Sequence, residues 1–189
     1  MVELDLTGQG FRLIGAGGAV CDALRQALAS AGARDLSGHA SEAAQIAVIL
    51  APLLPDESFR AAAILDEVQH LNLPKGRMVL VISAAGLVPL RRFPRYSAEM
   101  ASLVSAIRAE AMRRAPQVLV NAVAAGQIGA DAAYAGDAAM QTHTALAQPA
   151  EISALTDTVL FFCDPLNSYC TGQTLAVDNG WSTGYARNF

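Results

Sequence analysis

The sequence is poor in charge, in aromatics and in cysteine, and each shortage closes off a class of function. Charged residues are 16% of the 189 positions, and the formal balance is −4. Such a chain lacks the basic footprint that a phosphate backbone requires, so nucleic acid is not expected as a partner. The three cysteines, Cys21, Cys163 and Cys170, form no C-x-x-C pair and stand beside no histidine. That spacing supports neither a metal centre nor a disulfide framework, and the expectation is buried thiols with no metal. His39, His70 and His143 fall in no ligand motif, and Ser83 lacks the G-x-S-x-G elbow of a serine hydrolase. No apolar run reaches the roughly eighteen residues of a membrane helix, so no membrane partner is expected. The opening MVELDLTGQG has neither the basic start nor the apolar core of an export signal, and the expected location is the cytoplasm.

What the chain has in quantity is apolar surface, 53% of its residues. That is too much for a disordered segment, and it suggests an α/β core with further apolar area left for partners. The length is that of one domain, taken as 1–189, with a real core.

Along the chain, short β-rich runs alternate with helical patterns. GFRLIG reads as a strand ending in a glycine turn, and AVCDALRQALASAG as a helix stopped by Gly32. QIAVILAPLL reads as a buried strand, and DESFRAAAILDEVQHL as a helix with Asp56 as its N-cap. RMVLVIS and QVLVNAVA are further buried strands. Between them SAEMASLVSAIRAEAMRR carries apolar residues at 100, 103, 104, 107 and 111, one helical stripe. The stretch AGQIGADAAYAGDAAMQTHTALAQPA is small and irregular, EISALTDTVLFFC is helical, and GQTLAVDNG is a last strand. Strands rich in Val, Ile and Leu without alternation are buried on both faces. The expected architecture is therefore α/β, a doubly wound parallel sheet with helices on each side.

Three segments carry a resemblance. LVISAAG ends in Ser83, and Tyr96 follows thirteen positions later. VLVNAVAAGQI and EISALTDTVLFFCDPLNSYCTGQTLAVDNGW complete the set. With the N-terminal strand, glycine turn and helix, these segments resemble the short-chain dehydrogenase/reductase family over about three quarters of the chain. The resemblance implies a Rossmann-like sheet, an NAD(P)-dependent alcohol or ketone chemistry, Ser83 as the catalytic serine and Tyr96 as the general acid/base.

The departures from the family are as informative as the matches. In the family a lysine four residues after the tyrosine lowers the phenol pKa and holds the nicotinamide ribose. Here that position is Met100. A thioether has no charge, so the phenol is expected to remain neutral, since an ordinary tyrosine titrates at about 10, far from what proton transfer needs. The family's phosphate-loop pattern, Thr-Gly-x-x-x-Gly-x-Gly, appears as IGAGGAVC, with Gly15 kept and Ala19 and Cys21 replacing the next two glycines. Side chains there are expected to obstruct the pyrophosphate, and Cys21 to crowd helix against strand. A shifted G-x-G-x-x-G reading of GAGGAV fails at Val20. The family's Asn-Asn-Ala-Gly corresponds to ILAPLL, its Pro-Gly to Ala125-Gly126, and its carboxamide threonine to Ala130. Asn72, after the second helix, is the nearest asparagine to the catalytic tetrad's fourth member. About ten residues join GARDL to QIAVILAP, too few for a strand, a crossover helix and a second strand. The sheet is thus expected to be truncated in its adenosine-binding half, with Asp35 serving a loop or cap rather than a ribose.

Ser83 and Tyr96 then have two readings: a retained pair that polarises a carbonyl, or inherited packing residues. The resemblance implies oligomer interfaces on the long helix and on the C-terminal helix and strand. The expected partner-facing residues are Leu103, Ile107, Trp181, Tyr185, Arg187 and Phe189, the last four in an aromatic-rich tail. Arg91, Arg92 and Arg95 are read either as a contact for an anionic group or as a solvated basic loop. The expectation is a non-catalytic subunit that binds no cofactor itself. It would assemble, as a hetero-tetramer, with an active short-chain dehydrogenase paralogue that binds NAD(P). The alternative is a small active reductase using Ser83 and Tyr96.

Overall fold

The computed structural model describes residues 4–15, 17–39, 41–129 and 143–184. Its elements run β1 (Gly10–Ile14), α1 (Ala19–Ser30), β2 (Arg34–Asp35), β3 (Ile46–Leu50), α2 (Ala61–His70), β4 (Gly76–Ser83), α3 (Pro94–Arg114), β5 (Val118–Ala125), α4 (Ile152–Cys163) and β6 (Thr174–Val177). Short 3₁₀ turns cover Ala84–Gly86 and Trp181–Thr183. All pairings are parallel, in the order β2-β1-β3-β4-β5-β6.

The continuous apolar strands are sandwiched as their composition dictates. Side chains alternate between two cores because the strand period is two. Ala47 and Ile49 of β3, and Met78, Leu80 and Ile82 of β4, enter the core that also holds residues of α2 and α3. Ile46, Val48, Val79 and Val81 enter the opposite core, with residues of α1 and α4. Glycines are required where strands approach closely. Gly76 has φ +138°, and a Cβ there would lie 1.9 Å from the Gln45 carbonyl oxygen, so no side chain fits at the start of β4.

The two edges of the sheet are unequal. β4 and β5 pair over eight residues, Gly76↔Val118 to Ser83↔Ala125. β2 offers two, Arg34 and Asp35. A dinucleotide fold of the usual 3-2-1-4-5-6 order carries two strands outside its first; this sheet carries one, so the expected truncation is present. The loop that replaces the missing strand is held by Arg12 of β1. Its guanidinium donates to the backbone oxygens of Leu36 (3.2 Å), His39 (2.6 Å) and Glu42 (2.7 Å).

α2 begins at Ala61, later than the sequence suggests, and Asp56 is not its cap. The Asp56 carboxylate instead closes a local turn, accepting from the Ser58 amide (2.8 Å) and hydroxyl (2.6 Å). Aspartate favours both roles through the same side-chain-to-amide bond. The helix starts are capped across space: Glu99 of α3 accepts from the Ala61 amide at 2.8 Å, and Glu57 from the Tyr96 amide at 3.4 Å. α3 opens at Pro94, a residue preset for a first helical turn.

Candidate functional site

In an open parallel sheet, ligands bind beyond the carboxyl ends of the strands where the order reverses. Here that point lies between β1 and β3. Gly15 ends β1 with φ +139°, and a Cβ on it would stand 2.7 Å from the Leu50 carbonyl oxygen, so the turn is structurally required. α1 follows with Gly18 as its N-cap and no side-chain cap, and nothing lies within 4 Å of a Cβ built on Gly17 or Gly18. Ala19 is exposed in the first turn. Cys21 departs from expectation. It points away from this opening, is 8% exposed, and belongs to the core with Phe11, Leu24 and Leu28. It neither crowds the helix nor blocks a ligand.

β4 delivers Ser83 to the same end of the sheet, 2% exposed. Its hydroxyl accepts from the Ala85 amide at 3.2 Å and caps the 3₁₀ turn. Tyr96, in the first turn of α3, is 0% exposed. Its hydroxyl donates to the Pro52 carbonyl at 2.6 Å, and its ring meets Phe59 edge-on at 6.3 Å. Met100, one turn on, is 0% exposed and packs in the same core. There α3 passes so close to the 3₁₀ turn that a Cβ on Gly86 would lie 2.8 Å from the Met100 backbone. The turn that should carry a phenol and a cation toward a ligand carries a bonded phenol and a thioether into the core.

The adenosine side is also engaged within the chain. Asp35 ends β2, and its carboxylate accepts from the Ser37 amide (2.8 Å) and hydroxyl (2.6 Å) and pairs with Arg25. Burial pushes this carboxyl up, but the Ser37 bonds and the Arg25 charge prevail and hold it below the usual carboxylate value. Asn72 is at the other end of the sheet: its carbonyl accepts from the Ala44 amide, just before β3 begins. It is therefore not a member of any site at the carboxyl ends. Burial pushes the Cys163 thiol up to about 12, which leaves it a neutral core group. Among the described residues no group of His, Cys, Asp or Glu could hold a metal ion.

Two of the residues expected at a partner interface are inside this subunit instead. Leu103 is 0% exposed and Ile107 1%, both in the core between α3 and the sheet. The apolar stripe of a one-sided helix marks its own core, and the outward face of α3 is Ala101, Ser105, Arg108, Ala109 and Met112. Trp181 is half-buried against that same core. Tyr185, Arg187 and Phe189 lie outside the described residues, as does Ala130. Arg91, Arg92 and Arg95 are exposed before and in the first turn of α3 and have no ion pair among the described residues. The neighbouring acids Glu57 and Glu99 are turned to backbone amides.

Sequence reasoning missed the exposed apolar residues carried by the α4–β6 segment. Phe161 (53% exposed), Leu166 (70%), Tyr169 (99%) and Leu175 (45%) come from the end of α4, the turn after it and β6. The written signal was FFCDPLNSYC, four large apolar side chains around a proline turn. No described helix is long and apolar enough to cross a membrane, so these residues are not part of such a span.

Comparison with known proteins agrees with this fold. The family model described as enoyl-(acyl carrier protein) reductase matches residues 57–182. An uncharacterized oxidoreductase of Mycobacterium tuberculosis is 30% identical over 111 residues, 56% of this chain. The matched stretch spans only 42% of that relative's length. Among solved structures, an NAD(P)-dependent gluconate 5-dehydrogenase from Beutenbergia cavernae with bound NADP superposes with a TM-score of 0.77 at 21% identity, covering 96% of this chain and 100% of that one. A 2-deoxy-D-gluconate 3-dehydrogenase from Agrobacterium tumefaciens, also with bound NADP, gives 0.75 at 19% identity, covering 97% and 100%. At such identities the two structures speak for the fold. With the match over 57–182, they make the chain a shortened member of the short-chain dehydrogenase/reductase family.

Proposed function

We propose that this chain is a non-catalytic subunit of a hetero-oligomeric, NAD(P)-dependent short-chain alcohol dehydrogenase or ketoreductase. It stabilises an active paralogue and shapes that subunit's substrate pocket. The observation that carries the reading is the state of Tyr96. A general acid/base must reach substrate and exchange its proton near neutral pH. This phenol is fully buried, gives its proton to the Pro52 carbonyl, and has Met100 where a cation would activate it.

The residues present fit a dinucleotide poorly. The uncapped N-terminus of α1 and the open space at Gly17 and Gly18 suit a phosphate. The nicotinamide end offers neither a free phenol nor a cation, and at the adenosine end a strand is missing and Asp35 is spent on Arg25 and Ser37. No hydride-transfer step is therefore assigned to this chain, and NAD(P) belongs to the partner. An acyl-CoA or carrier-bound hydroxyacyl or ketoacyl group suits the partner's substrate, since Arg91, Arg92 and Arg95 stand exposed, with no ion pair among the described residues, for an anionic arm.

The partner face in this reading is the α4–β6 segment, where Phe161, Leu166, Tyr169 and Leu175 are each exposed. It is dominated by large side chains of the kind that anchor interfaces. The outward face of α3, small except for Arg108 and Met112, allows close helix approach.

The test is reconstitution. The chain alone is titrated with NAD(P)H by fluorescence, then co-expressed with a complete family member from the same cell and its mass measured intact. The expected results are no saturable cofactor binding alone, a mixed oligomer, and turnover in the mixture that Tyr96→Phe leaves unchanged. Turnover by the isolated chain, abolished by Tyr96→Phe, would establish the small-reductase alternative instead.

A further inference from the structure

A cavity of the described structure lies away from the Ser83–Tyr96 end of α3. It lies beyond the carboxyl end of β6, beside the N-terminal half of α4, and encloses about 720 Å³. That is within the range of small-molecule sites, roughly 300–1,000 Å³. Its polar lining comes from Gln148, Glu151, Thr158, Asp178, Asn179, Ser182 and Thr183, with no Lys, Arg or His among the described residues.

Local structure explains which of these groups are free. Asp178 is buried, and both its carboxylate oxygens are used: one accepts from the Gly180 amide (3.0 Å), the other from the Ser182 amide (2.8 Å). This fixes the turn after β6. Thr158 and Thr183 give their hydroxyl protons to the Ala154 and Gly180 carbonyls. Asn179 is held in the left-handed conformation, φ +61°, and is 8% exposed, yet its side-chain amide has no hydrogen bond among the described residues. Its atoms are not sealed inside protein, so what surface they keep opens onto the cavity they line. The Ser182 hydroxyl, the Gln148 amide and the Glu151 carboxylate are likewise without partners among the described residues.

We infer that this cavity is a binding site for a neutral, polyhydroxylated small molecule, with Asn179 as its central contact. Hydroxyl groups both donate and accept, which matches an amide with two donors and one acceptor, a hydroxyl, and a carboxylate that only accepts. Ala154, Ala176 and Val177 supply apolar wall for the carbon skeleton. An anionic ligand is disfavoured because Glu151 and Asp178 put negative charge at the lining, with no basic side chain there among the described residues. The site is independent of the subunit's catalytic standing, since neither Ser83 nor Tyr96 lines it.

Three probes of one carbon skeleton test the inference: sorbitol, gluconate and sorbitol 6-phosphate, titrated into the full chain and followed by saturation-transfer NMR and by the amide shifts of residues 176–183. The site predicts saturable binding of sorbitol and weaker or no binding of the two anions. Asn179→Gly keeps the left-handed backbone and removes the amide, so the fold should survive with its melting temperature unchanged. Sorbitol affinity should fall about tenfold, and Ser182→Ala should lower it by a smaller factor. Failure of all three probes to bind, tighter binding of either anion, or equal sorbitol binding by the wild-type and Asn179→Gly proteins would each overturn the inference.

Discussion

The β1–β2 edge and the β4–β5 centre of the sheet are built by the same rules and have fared differently. At the centre, the strands pair over eight residues each, and Met78–Ser83 of β4 and Val120–Ala125 of β5 are buried throughout. At the edge, two residues of β2 remain, and a loop fastened by Arg12 stands in for a strand. The centre supports helices and neighbours; the edge is where a nucleotide's adenosine would rest. Loss confined to the edge removes little packing, because an outer strand shares only one side with the sheet. The fold can therefore shed that edge and keep its core.

The largest expected effect probes the central half. Met100→Lys restores the family's cation at a position that is fully buried in an apolar cluster. A lone buried ammonium should cost about 3–5 kcal/mol in urea unfolding without producing NAD(P)H binding. Recovery of cofactor affinity at little cost in stability would show that the site is one substitution from function and undo the contrast between the two regions. Leu103→Ala comes next. As a core residue it should destabilise the isolated chain by about 2–5 kcal/mol. As a partner contact it would leave the isolated chain's unfolding unchanged and weaken assembly.

At the edge the effects are smaller. Arg12→Ala removes charge-assisted bonds to the Leu36, His39 and Glu42 carbonyls and should cost about 2 kcal/mol. Amide exchange should quicken in residues 34–44 and stay slow in β4 and β5. Uniform acceleration across the sheet would mean that edge and centre open together. The smallest effect is that of acid. The Asp35 carboxyl is held below its ordinary value in the folded chain, so its stabilisation is complete above that value and drains away as pH falls through about 4 toward the folded pKa. Asp35→Asn should flatten this part of the stability profile and leave the neutral region nearly as it is. An unchanged acid limb would show that the Arg25 pair contributes nothing.

Much of this organisation is written locally. The buried strands, the glycine turn at Gly15, the shortage of residues between GARDL and QIAVILAP, and Met100 one helical turn after Tyr96 all follow from spacing and residue type. Three features are not written that way. Asp56 can cap a helix or close a turn with the same bond, and only the distant Glu99 carboxylate at the Ala61 amide shows which helix start it leaves free. Leu103 and Ile107 are apolar at helical spacing whether they face a core or a partner; contact with the sheet decides. Cys21 looked obstructive because the family's glycine stands there, but its direction into the α1 core depends on where the helix begins. The cavity beyond β6 is not written locally either, since its lining comes from two stretches, 146–158 and 176–183, that only the fold brings together.

The brevity of β2 has a bearing on growth by strand addition. An outside strand needs a run of free backbone donors and acceptors to copy, and an edge two residues long offers almost no template. At the opposite border β6 presents four residues. Any recruitment of a further strand is thereby steered to one border, and stacking of copies into an endless ribbon, which requires both borders, is discouraged.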